Sequence, residues 1–198
     1  MSTPSMSFED FTRLVLDALE AAKIDYMIGG SVGLLAWGEP RTTRDFDLVV
    51  NLPPEQIYAL SKELEQRDML VPWEVLLDLL LQAEGDLPVN AIHLYTGFKA
   101  ELFLLRPEDT FRAAALARRR LVDIGPPLGT VYVHAPEDLI IYKLRYYQLS
   151  QQPKHIRDIQ SILKASGAEL DYAYLEQWIT YFNLSSPWYK AQHWNEVG

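Results

Sequence analysis

Ile24-Asp25-Tyr26-Met27-Ile28-Gly29-Gly30-Ser31 and, after a spacer of thirteen residues, Asp45-Phe46-Asp47-Leu48-Val49-Val50 decide the fold. The first run is short, mostly apolar and ends on two glycines, which predicts a buried strand feeding a sharp turn. Ser31 stands where it could cap a short helix over Val32–Trp37, closed by Gly38 and Pro40. The glycines let the main chain turn and let a ligand come close to it. Free N–H groups at the start of the next helix favour an anion there. Alone, such a turn is commonly no more than a turn. In the second run side chains alternate faces, so Asp45 and Asp47 share one face while Phe46 and Leu48 point to the core. Two carboxylates this close repel, and a folded site usually sets cations between them. Magnesium suits them, since it takes oxygen ligands and binds through one or two carboxylates plus substrate phosphates. Solvated aspartates at a strand end are the plain alternative.

A third acid stands in Lys99-Ala100-Glu101-Leu102-Phe103-Leu104-Leu105. A carboxylate inside an apolar strand is costly unless paired or metal-bound, and a water-facing edge strand is its bland explanation. If this strand lies beside Asp45 and Asp47, Glu101 completes a cluster of three.

Around these runs the pattern predicts an α/β part up to about residue 135 and a helical portion over 136–198. Ser7-Phe8-Glu9-Asp10 reads as a capping box for an amphipathic helix. Helices are expected from Pro54 to about Arg67, over Pro72–Ala83 and from Pro107 to about Arg118. Ala91–Thr96 and Ala100–Leu105 read as a hairpin around Gly97-Phe98-Lys99. Leu121–Ile124 and Thr130–His134 read as short strands. Helices follow over Pro136–Leu149, Pro153–Ala165, Asp171–Phe182 and Pro187–Trp194, proline recurring at the first helical position.

Composition narrows the classes. At 198 residues with 48% hydrophobic residues, the chain can bury a real core. Cysteine is absent, which excludes disulfides and thiolate metal sites. No apolar run approaches a membrane span, and Met1–Ser7 lacks the order of a signal peptide, so a cytoplasmic protein without a membrane partner is expected. A net charge of −9 argues against general coating of nucleic acid. Arg106 to Arg157 is nevertheless basic, with nine Lys/Arg against five Asp/Glu. A cationic surface on an acidic body would suit a phosphate-bearing ligand, and surface fluctuation explains it as simply.

Gly30-Ser31, the spacer and Asp45-Phe46-Asp47-Leu48 resemble the signature of the nucleotidyltransferase (polymerase β-like) superfamily. The resemblance is nearest to its small prokaryotic branch of minimal nucleotidyltransferases, abortive-infection toxins and toxins that modify tRNA. Thr43-Arg44-Asp45-Phe46-Asp47, His134-Ala135-Pro136-Glu137-Asp138-Leu139-Ile140-Ile141-Tyr142-Lys143-Leu144 and Lys154-His155-Ile156-Arg157-Asp158-Ile159 carry it, over roughly residues 24–160. The family more often has aspartate where this chain has Glu101.

The resemblance implies a mixed β-sheet flanked by helices, followed by a helical portion. It implies transfer of a nucleoside monophosphate from a nucleoside triphosphate to a hydroxyl on tRNA, a protein or a small molecule. Magnesium, or manganese, would be held by Asp45, Asp47 and Glu101. Gly29, Gly30, Ser31, Arg44, Lys143 and Lys154 would bind the nucleotide. A cognate toxin or antitoxin would be a partner if the chain belongs to a defence pair. The alternative is an inactive module of the same fold that binds nucleotides or a partner.

Other features read as structure. Lys154 and Asp158 are spaced to pair along a helix. Lys143 is as readily a solvated lysine as a triphosphate cap. Arg41 and Arg44 flank the aspartates, and either could orient a carboxylate or touch phosphate. Arg118-Arg119-Arg120 suits a helix C-terminus better than an RNA contact. Tyr142, Tyr146, Tyr147, Tyr172, Tyr174, Trp178 and Tyr181 chiefly suit packing between helices. The four histidines show no metal-ligand spacing, and no Ser-His-Asp set, dinucleotide fingerprint or Walker loop is present.

Overall fold

The computed structural model describes residues 6–82 and 87–194. The expected helix end at Ala83 and most of the Met1–Ser7 start lie outside these residues. The described chain is an α+β fold with one six-stranded mixed sheet in the order β3-β4-β2-β1-β6-β5. Its strands are β1 (Asp25–Ile28), β2 (Asp45–Asn51), β3 (Val89–Ile92), β4 (Lys99–Leu104), β5 (Arg120–Asp123) and β6 (Thr130–Val133). β1 runs antiparallel to β2 and parallel to β6, and β2 runs parallel to β4. β3–β4 and β5–β6 are antiparallel pairs.

One face of the sheet carries the main core. Phe46, Leu48 and Val50 of β2 pack there with Phe11, Val15 and Leu19 of α1 (Phe8–Ala21). Leu60 and Leu64 of α3 (Ile57–Glu65) and Leu76 of α4 (Trp73–Leu81) complete it. The Ser7–Asp10 capping box starts α1 as its sequence requires. On the opposite face, Met27 and Val49 pack under Ala115 and Leu116 of α5 (Thr110–Arg118), whose N-cap is Asp109. α5 covers Val49 and leaves the Asp45 and Asp47 end of that face to a cleft.

α6 (Pro136–Ser150), α7 (Pro153–Ser166), α8 (Tyr172–Tyr181) and α9 (Ser185–Gln192) form a second core, joined by Leu34 and Phe111. Pro136 and Pro153 open α6 and α7. No described helix is long and apolar enough to cross a membrane.

Several boundaries differ from expectation for local reasons. α2 (Gly30–Gly33) starts earlier, with Gly29 as its cap, and passes into a 3-10 turn over Leu34–Ala36. Ser31 is thus a buried helical residue and not the cap. β3 ends at Ile92 because His93 and Phe98 close a turn: His93 N–H donates to the Phe98 carbonyl and Gly97 N–H to the His93 carbonyl, both at 2.9 Å. Lys99 therefore opens β4 instead of belonging to the turn.

Candidate active site

Register sets the three acids on one face of the sheet. Parallel pairing of β2 and β4 sets Asp45 opposite Lys99 and Asp47 directly opposite Glu101, all on the face away from Phe46 and Leu48. The glycine turn closes on the same point. Gly29 N–H donates to the Asp47 carbonyl at 2.9 Å. Gly30 has φ +57°, and a Cβ on it would stand 1.7 Å from Asp47 Oδ2. The Asp47 carboxylate therefore occupies the space that only a glycine leaves open.

Asp47 is short of positive charge. Burial, and then the charge of Glu101, push the Asp47 carboxyl up to about 6, with Asp45 adding and Lys143 opposing. Lys99 Nζ lies 2.5 Å from Glu101 Oε1 and 3.5 Å from Asp45 Oδ1. An ammonium thus holds a cation's place between two acids. Among the described residues no three such side chains are gathered closely enough to hold a metal ion. The donor set nevertheless fits a hard divalent cation, being all carboxylate oxygen, crowded and already drawing in a cation.

These groups open into a cleft of about 640 Å³. Gly29, Gly30, Ser31, Asp45, Asp47 and Glu101 line one side; Arg41, Lys143, Lys154, Tyr142, Tyr146 and His155 are among the others. Lys143 is 4% exposed, not solvated, and its Nζ lies 2.5 Å from Asp158 Oδ2. Burial lowers the Lys143 pKa, and Asp158 works against that. Asp158 also accepts from Arg41 Nε at 3.0 Å and Nη2 at 3.3 Å. Lys154 is exposed at the cleft, and the partners of Asp158 in this structure are Arg41 and Lys143. Arg44 is exposed in the bend before β2 and lies outside the cleft lining.

Four further cleft residues carried no strong local signal. His134 lies beneath the glycine turn, 3.2 Å from a Cβ placed on Gly29, and burial followed by Arg112 lowers it to about 3, so the ring stays neutral. Tyr142 packs edge-on against His134 with centroids 5.0 Å apart, and its hydroxyl accepts from Arg112 Nε at 3.3 Å. His155 stacks on Tyr146 at the cleft, and burial followed by Lys143 and Lys154 lowers it to about 4. In the Arg118-Arg119-Arg120 run, Arg118 and Arg119 turn to protein partners. Arg118 meets Glu137 at 3.1 Å and lies 3.8 Å over the Tyr174 ring, and Arg119 meets Asp25 at 2.8 Å.

The chain matches no protein-family model, and no curated protein is similar to it in sequence. Its fold is shared with solved structures. The solution structure of the antibiotic-resistance factor ANT(2'')-Ia superposes with a TM-score of 0.59 at 17% identity, over 92% of this chain and 93% of that one. A crystal structure of ANT(2'')-Ia in complex with adenylyl-2''-tobramycin gives 0.60 at 18% identity, over 87% and 95%. The chain has a nucleotidyltransferase-like fold, a mixed sheet flanked by helices and followed by a helical portion.

Proposed function

We propose that this protein is a divalent-metal-dependent nucleotidyltransferase. It moves a nucleoside monophosphate from a nucleoside triphosphate to a hydroxyl acceptor. The observation that carries the reading is the register of Asp47 opposite Glu101, with Gly30 packed against the Asp47 carboxylate in one cleft with Lys143. The mixed polarity of that cleft supports it: carboxylates from β2 and β4, cations from α6, α7 and the segment that carries Arg41.

In this reading Asp45, Asp47 and Glu101 hold magnesium or manganese, which would neutralise phosphate charge and orient the reacting oxygens. Main-chain groups of Gly29, Gly30 and Ser31 bind the outer phosphates, with Lys143 and Lys154 on the other wall. Arg44 is not part of the proposed site. The acceptor oxygen attacks the α-phosphorus, and the bond to the bridging oxygen breaks. Pyrophosphate leaves with that electron pair, and the acceptor proton passes to the Glu101 carboxylate. Positioning and electrostatics carry most of such a reaction.

The test is transfer of label from α-labelled ATP, CTP, GTP and UTP, with magnesium or manganese. Bulk tRNA, lysate protein and small polyols including tobramycin are offered as acceptors. Asp45→Asn and Asp47→Asn should each abolish transfer. Wild-type transfer by both variants would overturn the site, and metal-independent nucleotide binding without turnover would favour an inactive module. Growth arrest on expression, relieved by the same substitutions, would support a toxin role, and harmless expression in several hosts would count against it.

A further inference from the structure

Lys143 and Arg41 come from distant parts of the chain and meet on one carboxylate. Asp158 Oδ2 accepts from Lys143 Nζ at 2.5 Å and from Arg41 Nη2 at 3.3 Å, while Oδ1 takes Arg41 Nε at 3.0 Å. The two cations line the cleft and Asp158, 3% exposed, does not. Asp158 thus sits behind them. One anion facing two cations leaves a surplus positive charge turned toward the ligand space. Lys143 retains two further ammonium donors, and Arg41 Nη1 points away from Asp158 to donate to the Thr42 carbonyl at 3.5 Å.

We infer that Asp158 is a positioning residue that holds Lys143 and Arg41 together as a receptor for the outer phosphates of a polyphosphate substrate. The inference rests on the reading of the cleft as a nucleoside-triphosphate site. A buried lysine beside a guanidinium is unfavourable without a counter-ion, through both lost hydration and like-charge repulsion. Asp158 supplies that counter-ion from the side away from the substrate. Both cations are thereby preorganised, and little ordering is left for the moment of binding. An ammonium and a guanidinium side by side offer a phosphate several charge-assisted hydrogen bonds at once.

Binding of inorganic tripolyphosphate without metal, followed by calorimetry, tests this apart from catalysis. Asp158→Ala should weaken that binding about tenfold or more, as expected for loss of preorganised charge-assisted contacts. In the transfer assay it should raise KM for the triphosphate more than it lowers kcat. Asp158→Glu should restore most of the affinity, and a folded Asp158→Asn should behave like Asp158→Ala, which covers the case in which the alanine variant does not fold. Lys143→Met should lose affinity on its own, and adding Asp158→Ala to it should cost much less than Asp158→Ala costs the wild type. Tripolyphosphate affinity at or above the wild-type level in the folded asparagine variant would overturn the inference. So would losses that multiply independently in the double variant. Failure of the aspartate variants of β2 to abolish transfer would instead strike the proposed activity and leave this binding result standing.

Discussion

Gly30→Ala is the sharpest perturbation of the proposed site, because it adds one methyl group. Gly30 has φ +57°, a region that costs an L-residue about 1–2 kcal/mol. The new Cβ would lie 1.7 Å from Asp47 Oδ2 and 2.7 Å from Cγ, so the carboxylate must leave its place. Rotation of the side chain does not remove the crowding, since Asp47 Cβ itself stands at 3.0 Å. An off-rotamer side chain adds about 0.5–1.5 kcal/mol. The expected destabilisation is therefore about 2–3 kcal/mol in urea unfolding. Transfer should fall more steeply, by about a hundredfold for a displacement near 1 Å at the reacting centre. Gly97→Ala is the control: φ is +71° and nothing lies within 4 Å of its Cβ, so it bears the backbone cost alone and should keep full transfer activity. Equal behaviour of the two variants in both assays would refute the placement of Asp47 against the glycine turn.

Two further substitutions probe the frame that holds the cleft. Asp138, buried at the start of α6, has its carboxyl raised from 3.8 to about 6, chiefly by burial, with the Tyr174 hydroxyl donating to it at 2.6 Å. The folded state holds that proton more tightly than the unfolded one, so this contribution is full below pH 4 and is lost as pH rises to about 6, some 3 kcal/mol in all at most (about 1.4 kcal/mol per pH unit). Asp138→Asn should flatten the wild-type slope of unfolding midpoint against pH in that window, and an unchanged slope would exclude Asp138 as its source. Phe111 ties α5 to the helical portion, its ring centroid lying 5.0 Å from Tyr142, 4.8 Å from Trp178 and 5.3 Å from Phe182. Phe111→Ala should cost about 3–5 kcal/mol in denaturant unfolding, and a cost below about 1 kcal/mol would contradict that packing.

Much of the carboxylate wall was legible because its rules are local. Strand alternation put Asp45 and Asp47 on one face from six consecutive residues, and Phe46 and Leu48 are indeed buried on the other. The apolar context of Glu101 marked it as an acid in need of a partner; Lys99 meets that need at 2.5 Å, and the parallel register sets Asp47 beside it. Pro136 and Pro153 announced their helices for a backbone reason, having no N–H to leave unpaired. The boundary of α2 was misplaced for the converse reason. A serine after two glycines resembles a cap, but the close approach of Asp47 makes Gly30 itself the first helical residue.

Lys143 and Lys154 of the cationic wall were named only through the family resemblance, because no local rule reaches the contacts that build it. Spacing of four along α7 suggests that Asp158 pairs with Lys154, a contact worth only a few tenths of a kcal/mol at a surface. Asp158 is buried, however, and a buried carboxylate requires stronger partners than an exposed lysine four residues away. It finds Lys143 fifteen residues back, one helix earlier, and Arg41 across 117 residues of chain. Nothing in Arg41's own neighbourhood names Asp158 as its partner, because that pairing is set by where α7 packs against the segment after α2, Ser166 Oγ donating to the Trp37 carbonyl at 3.2 Å and Lys164 meeting Glu39 at 3.3 Å. The two walls are thus encoded differently. The acids are placed by the alternation of single strands, and the cations by the docking of α6 and α7, so substitutions that loosen that docking should weaken phosphate binding before they disturb Asp45 and Asp47.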